Sequence, residues 1–236
     1  MGSENQPIDK IRQNIQAEVR GIQVFATSVI FSAAAVASST VLLIIPNLET
    51  ISLFIFLVGY RYGKTTGTMT VLTTVTIYEM FASQVYGTGG IIPFLLKFPP
   101  YFLIMLTGAY FHNLKIQSDS LSNDNRSLSQ LVPDAKTESI HQNILYQPQK
   151  NGFWNEETNF TLYERLLLVQ LGLALTIVYD VITSLGILVF VPTWEAFLIS
   201  FIVGIPFFVF HQVTNSILFA TIPSIITALN KARPGY

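Results

Sequence analysis

Between Val58 and Phe111 the chain reads, from Gly59 onward, GYRYGKTTGTMTVLTTVTIYEMFASQVYGTGGIIPFLLKFPPYFLIMLTGAYF. Two membrane-length apolar stretches are hinged there on Gly87-Thr88-Gly89-Gly90, yet the segment is rich in glycine, threonine and tyrosine. Lipid offers no partner to a glutamate, a glutamine or an open glycine turn. Such groups persist at membrane depth only against other protein or around a polar solute. The stretch therefore predicts a helical membrane protein that handles a ligand.

The rest of the chain fits that reading. Of 236 residues, 50% are hydrophobic and 11% charged, and the mean hydropathy is +0.49, values outside the range of soluble domains. A net charge of -1 leaves no basic surface for nucleic acid. With no cysteine there are no disulfides, thiolate metal sites or cysteine nucleophiles. Lys10, Arg12 and Arg20 precede an apolar stretch containing Ala35-Val36-Ala37, which imitates a signal peptide. The stretch continues through Val41-Leu42-Leu43-Ile44-Ile45, long enough to span, and so predicts an uncleaved first helix. Ahead of it, Ile8, Ile11, Ile15, Val19 and Ile22 recur at helical spacing among charges, the pattern of an amphipathic helix on the cytoplasmic face.

Apolar helical stretches lie at about Gly21 to Ile45, Ile51 to Tyr62, Thr65 to Tyr86, Ile92 to Phe111, Leu162 to Val191 and Ala196 to Leu229. The second is short, since a dozen residues rising about 1.5 Å each cover about two thirds of a hydrocarbon core roughly 30 Å thick. A re-entrant second segment would leave five crossings. Charge placement favours six with both termini cytoplasmic, because Lys10, Arg12, Arg20, Arg61, Lys64, Lys115, Arg165, Lys231 and Arg233 then all fall inside. The outer loops, Asn47 to Thr50, Gly87 to Gly90 and Val191 to Glu195, hold no lysine or arginine. The expected fold is thus an all-α integral membrane bundle of six transmembrane helices. Residues 1–20 form the amphipathic segment and 21–113 helices 1 to 4. Residues 114–160, rich in Ser, Asn, Asp and Gln, form a flexible polar cytoplasmic insert between helices 4 and 5, and 161–236 hold helices 5 and 6 and the tail.

Gly59-Tyr60-Arg61-Tyr62-Gly63-Lys64-Thr65 imitates a P-loop but has three residues between its glycines where a phosphate loop needs four. The glycines have another use: Gly59, Gly63 and Gly67 repeat every four residues and, if helical, form a smooth stripe for close helix approach. Ser28, Ser32 and Val36, beside Ala33 and Ala37, make a similar stripe in the first helix. Either stripe serves packing inside the bundle or contact with a partner subunit.

The sharper signal is the set of polar groups at membrane depth: Glu79, Gln84, Asp180, His211, Gln212 and Asn215. Asp180 follows Tyr179 in the fifth span, and His211 and Asn215 stand at i and i+4 on one face of the sixth. A carboxylate, an imidazole and an amide converging between helices can grip a polar ligand or lock helix register, and both uses remain open. The amides of the outer turn, Gly89 and Gly90 included, are candidates for solute contact. A metal site needs more ligands than Asp180 and His211. No nucleophile motif, paired-aspartate set or metal-binding histidine motif indicates catalysis.

These residues together resemble the substrate-binding S components of energy-coupling factor transporters for vitamins and related micronutrients. The likeness rests on the first helix with small residues at every fourth position and on the glycine-spaced segment Gly59 to Gly67. That segment leads through Tyr86 to Gly87-Thr88-Gly89-Gly90-Ile91-Ile92-Pro93-Phe94. The third support is the pair Tyr179-Asp180-Val181-Ile182-Thr183 and His211-Gln212-Val213-Thr214-Asn215. It implies a six-helix bundle in the cell membrane that captures a vitamin-like small molecule from outside. The coupling subunit and two cytoplasmic ATPases would be partners, ATP being used by them and no cofactor by this chain. In that family the small residues of the first helix meet the coupling subunit, which maps onto Ala33 and Ala37 by position. The 114–160 insert and the short second span depart from the family's pattern. A membrane scaffold whose insert binds partners is the alternative.

Overall fold

The structure, a computed structural model, describes residues 6–42, 50–86, 91–130 and 160–231. Every regular element among them is a helix: α1 (Gln6–Leu42), α2 (Ile51–Tyr86), α3 (Ile91–Gln130), α4 (Leu162–Ser184), the single turn α5 (Ile187–Phe190) and α6 (Trp194–Lys231). Among the described residues, four stretches are long and apolar enough to cross a membrane: Asn14–Leu42, Phe94–Lys115, Leu162–Phe190 and Trp194–Lys231.

α2 is two arms rather than one rod. Gly63 adopts φ 75° and ψ -168°, a left-handed conformation that only glycine enters freely, and it interrupts the helix. A Cβ placed on Gly67 would lie 3.6 Å from the Cα of Gly59, whereas eight residues of straight helix span about 12 Å. The chain therefore folds back at Gly63, and residues 51–62 and 64–86 coincide with the second and third spans read from the sequence. The 64–86 arm is less apolar than these four stretches because of its threonines. In lipid these hydroxyls need partners, and Thr70, Thr73 and Thr76 donate back to the carbonyls of Thr66, Met69 and Leu72.

Contacts set the direction of each helix. Ser28 and Ser32 of α1 donate to the carbonyls of Thr66 and Thr70 (3.2 and 3.3 Å), so α1 runs parallel to the second arm of α2. That arm is antiparallel to α3, with Glu79 paired to Lys97 at one end and Gly67 against Met105 further along. α3 is antiparallel to α4, joined by the Tyr101 and Tyr179 rings (5.2 Å) and by the Lys115–Glu164 ion pair (2.7 Å). α4 is antiparallel to α6, with Asp180 beside His211 and Gly172 beneath Phe219. The core gathers around the first arm of α2, where Ile51, Ile55, Phe56 and Val58 are fully buried.

Two boundaries and one helix surface differ from the sequence reading. The amphipathic segment is continuous with the first span in α1, since Gly21 alone does not break a helix whose one proline, Pro7, stands in its first turn. α3 continues to Gln130, so the start of the polar insert is helical; no glycine or proline occurs from His112 to Val132. The remainder of the insert lies outside the described residues, as do Gly89 and Gly90. The Gly59–Gly67 stripe, read as a possible partner surface, is used inside the bundle. A Cβ on Gly59 would stand 2.2 Å from the Met105 carbonyl oxygen, and one on Gly67 would stand 2.5 Å from the Met105 side chain. The reason is the fold-back at Gly63, which turns both glycines onto α3 and leaves Gly63 itself with nothing within 4 Å of its own added Cβ.

Candidate functional site

The site lies between α4 and α6. α4 begins at a full capping box: the Thr161 hydroxyl accepts from the Glu164 amide (3.2 Å) while the Glu164 carboxylate accepts from the Thr161 amide (2.7 Å). From that start, Gly172, Thr176, Tyr179 and Asp180 fall on one buried face. On α6, His211, Asn215, Phe219 and Ile222 do the same at helical spacing. A Cβ on Gly172 would stand 2.6 Å from the Phe219 ring, so glycine is what lets the helices close.

Above that contact, the polar side chains interlock. His211 Nδ1 lies 2.8 Å from Asp180 Oδ1, and His211 Nε2 lies 2.9 Å from Asn215 Nδ2. Asn215 also donates to the Thr176 hydroxyl (3.0 Å), which donates to the Gly172 carbonyl (2.7 Å). Asp180 is 4% exposed and Thr176, His211 and Asn215 are each 2% exposed. Tyr179 closes one side with its ring edge-on to the imidazole (5.5 Å between centroids), and its hydroxyl is 3.5 Å from that of Tyr101 on α3. Asp180 Oδ2 and Asn215 Oδ1 are buried with no hydrogen-bond partner among the described residues.

The sequence-derived set divides here. Tyr179, Asp180, His211 and Asn215 come together. Glu79 is engaged by Lys97, whose ammonium also stands 5.8 Å from the Tyr78 ring centroid. Lys97 is one turn from Tyr101 on α3, so this ion pair belongs to the α2–α3 contact beside the network. Gln84 is exposed, and Gly89 and Gly90 fall outside the described residues. Ala33 and Ala37 are exposed and line a shallow apolar groove between α1 and the second arm of α2, with Thr73, Ile77 and Phe81 on the other wall.

Sequence reasoning missed Thr176, Tyr101 and Lys97. Thr176 stands four residues before Asp180, the spacing that puts both on one face. Lys97 is the lone lysine within its apolar span, a signal that a buried carboxylate is near. No group of three or more metal-ligating side chains occurs among the described residues. Compared with known protein families, with curated proteins and with solved structures, the chain matches none.

Proposed function

We propose that this chain is a non-enzymatic, substrate-binding subunit of an ATP-driven importer, taking a small vitamin-like molecule from outside the cell and passing it to a coupling module. The observation that carries the reading is the buried α4–α6 network with two acceptors, Asp180 Oδ2 and Asn215 Oδ1, left open in a setting where lipid offers no donor. The topology proposed with it has six crossings of the cell membrane and both termini inside. The alternating directions of α1, the two arms of α2, α3, α4 and α6 support it, as does the concentration of lysine and arginine at one end. In that arrangement Asp180 and His211 belong to the outer half of the bundle. Gly186, just past α4, packs near Leu96 at that same end, where an added Cβ would be 2.9 Å from Leu96 Cδ1. The groove beside Ala33 and Ala37 is the surface assigned to the coupling subunit, and ATP is hydrolysed by that subunit's ATPases.

A gentle detergent pull-down of the tagged chain from its native membrane, with mass spectrometry of retained proteins and small molecules, tests this reading. Co-recovery of a membrane coupling subunit with ATPases supports it; recovery of neither across several mild detergents rejects it. The second reading, a membrane scaffold, draws on the fact that Asp180–His211 and Asn215–Thr176 both tie α4 to α6. It predicts that no solute binds saturably and that the 114–160 insert holds the partner contacts.

A further inference from the structure

The α4–α6 network has spare hydrogen-bonding capacity of one kind. Thr176 gives its single hydrogen to the Gly172 carbonyl, so it receives one from Asn215, and that fixes the orientation of the amide. The second amide hydrogen of Asn215 goes to His211 Nε2, which is therefore an acceptor. Nδ1 then carries the ring proton and donates it to Asp180 Oδ1. Both donors of Asn215 are used, whereas the two open atoms, Asp180 Oδ2 and Asn215 Oδ1, are acceptors. With a neutral imidazole the network's one formal charge is the carboxylate of Asp180, and the Lys97 ammonium of the neighbouring contact is taken by Glu79. The Tyr179 ring beside His211, backed by Tyr101, adds an aromatic wall that favours flat and cationic groups.

We propose that the solute of this site binds through nitrogen-bound hydrogens, as an amine, an amidine or an amino-substituted nitrogen heterocycle, donating to Asp180 Oδ2 and Asn215 Oδ1. A solute whose polar face is a carboxylate or phosphate sets acceptors against acceptors and a negative charge against Asp180. This inference rests on the reading of the network as a binding site. Its test is the matched pair benzamidine and benzoate, nearly equal in shape and opposite in hydrogen-bond polarity, titrated into the purified full chain. Binding is read by thermal melting and by saturation-transfer NMR.

Benzamidine is expected to bind and to raise the melting temperature, benzoate to do neither. Asp180→Asn, which exchanges the open acceptor for an amide, is expected to weaken benzamidine about tenfold or more. The contrast between probes is read on the unaltered chain, so it stands even where the variant does not fold. Equal binding of both, preference for benzoate, or benzamidine binding unchanged in a folded Asp180→Asn protein overturns the inference while leaving a solute site in place. Binding of neither probe also overturns it, and recovery of a coupling subunit and ATPases with the tagged chain then decides separately whether the transport reading survives.

Discussion

The first arm of α2 and the whole of α6 are comparably apolar, and the fold uses them in opposite ways. Residues 51–62 form the centre of the bundle, with Ile55, Phe56 and Val58 wholly enclosed. In α6 only 6% of the most apolar stretch is buried, and Ile199, Ile202 and Val203 are between 61% and 67% exposed. What α6 turns inward includes His211 and Asn215. In water, apolarity drives a residue inside; in lipid it sorts nothing, because acyl chains solvate a leucine as well as another leucine does. Close backbone approach and hydrogen bonding decide the inside instead. The α2 arm is inside because Gly59 and Gly108 let it meet α3 backbone to backbone, an added Cβ on either standing 2.2 or 2.3 Å from a carbonyl oxygen of the other helix. α6 turns His211 and Asn215 inward, beside Phe219 and Ile222, because Asp180 and Thr176 complete their hydrogen bonds.

The largest effect is expected where backbone meets backbone. Gly59→Leu or Gly108→Leu forces α2 and α3 apart and should lower stability by about 3 kcal/mol or more, seen as aggregation in fluorescence-detected gel filtration. A well-behaved, normally melting Gly59→Leu protein breaks the claim that the α2 arm is held by close approach. Next comes Asp180→Ala, which strands the His211 Nδ1 donor and should remove about 1–3 kcal/mol. It should also abolish solute binding in a protein that still elutes as a single folded species. Unchanged binding would remove Asp180 from the site.

Gly63→Ala should cost about 1–3 kcal/mol through its backbone conformation alone, since its Cβ meets nothing; a melting temperature equal to the parent's contradicts the fold-back. The smallest effects belong to the lipid-facing side, where Val203→Ala should stay within about 0.5 kcal/mol. Ala33→Leu should do the same, yet reduce recovery of a coupling subunit in the pull-down. Loss of folding in Ala33→Leu places that residue in the core and removes it from the partner surface.

Much of the site was legible because its signals are local. Asp180 is a carboxylate inside an apolar span, and His211 and Asn215 are four residues apart, so helical geometry alone puts them on one side. Glu79 was legible as a charge at membrane depth but not in its role, because its partner Lys97 lies 18 residues further on, in α3. Thr176 was passed over because threonines are common in these spans, and only the facing Asn215 distinguishes it from those bonded within their own helix. The glycine stripe was visible, yet a sequence repeat carries no information on which neighbour it meets.

By itself the sequence determined that the described chain is helical and roughly where its apolar stretches lie, since hydropathy and spacing act within a few residues. It also marked Asp180, His211 and Asn215 as polar groups that lipid would not tolerate unaccompanied, with Tyr179 beside Asp180 as a further candidate. The tertiary structure alone decided that Gly59 and Gly67 face Met105, that Lys97 answers Glu79, and that the open atoms between α4 and α6 are both acceptors. Those outcomes depend on distances between segments far apart in the chain, and hydrogen-bond polarity is settled only once every donor has found its acceptor.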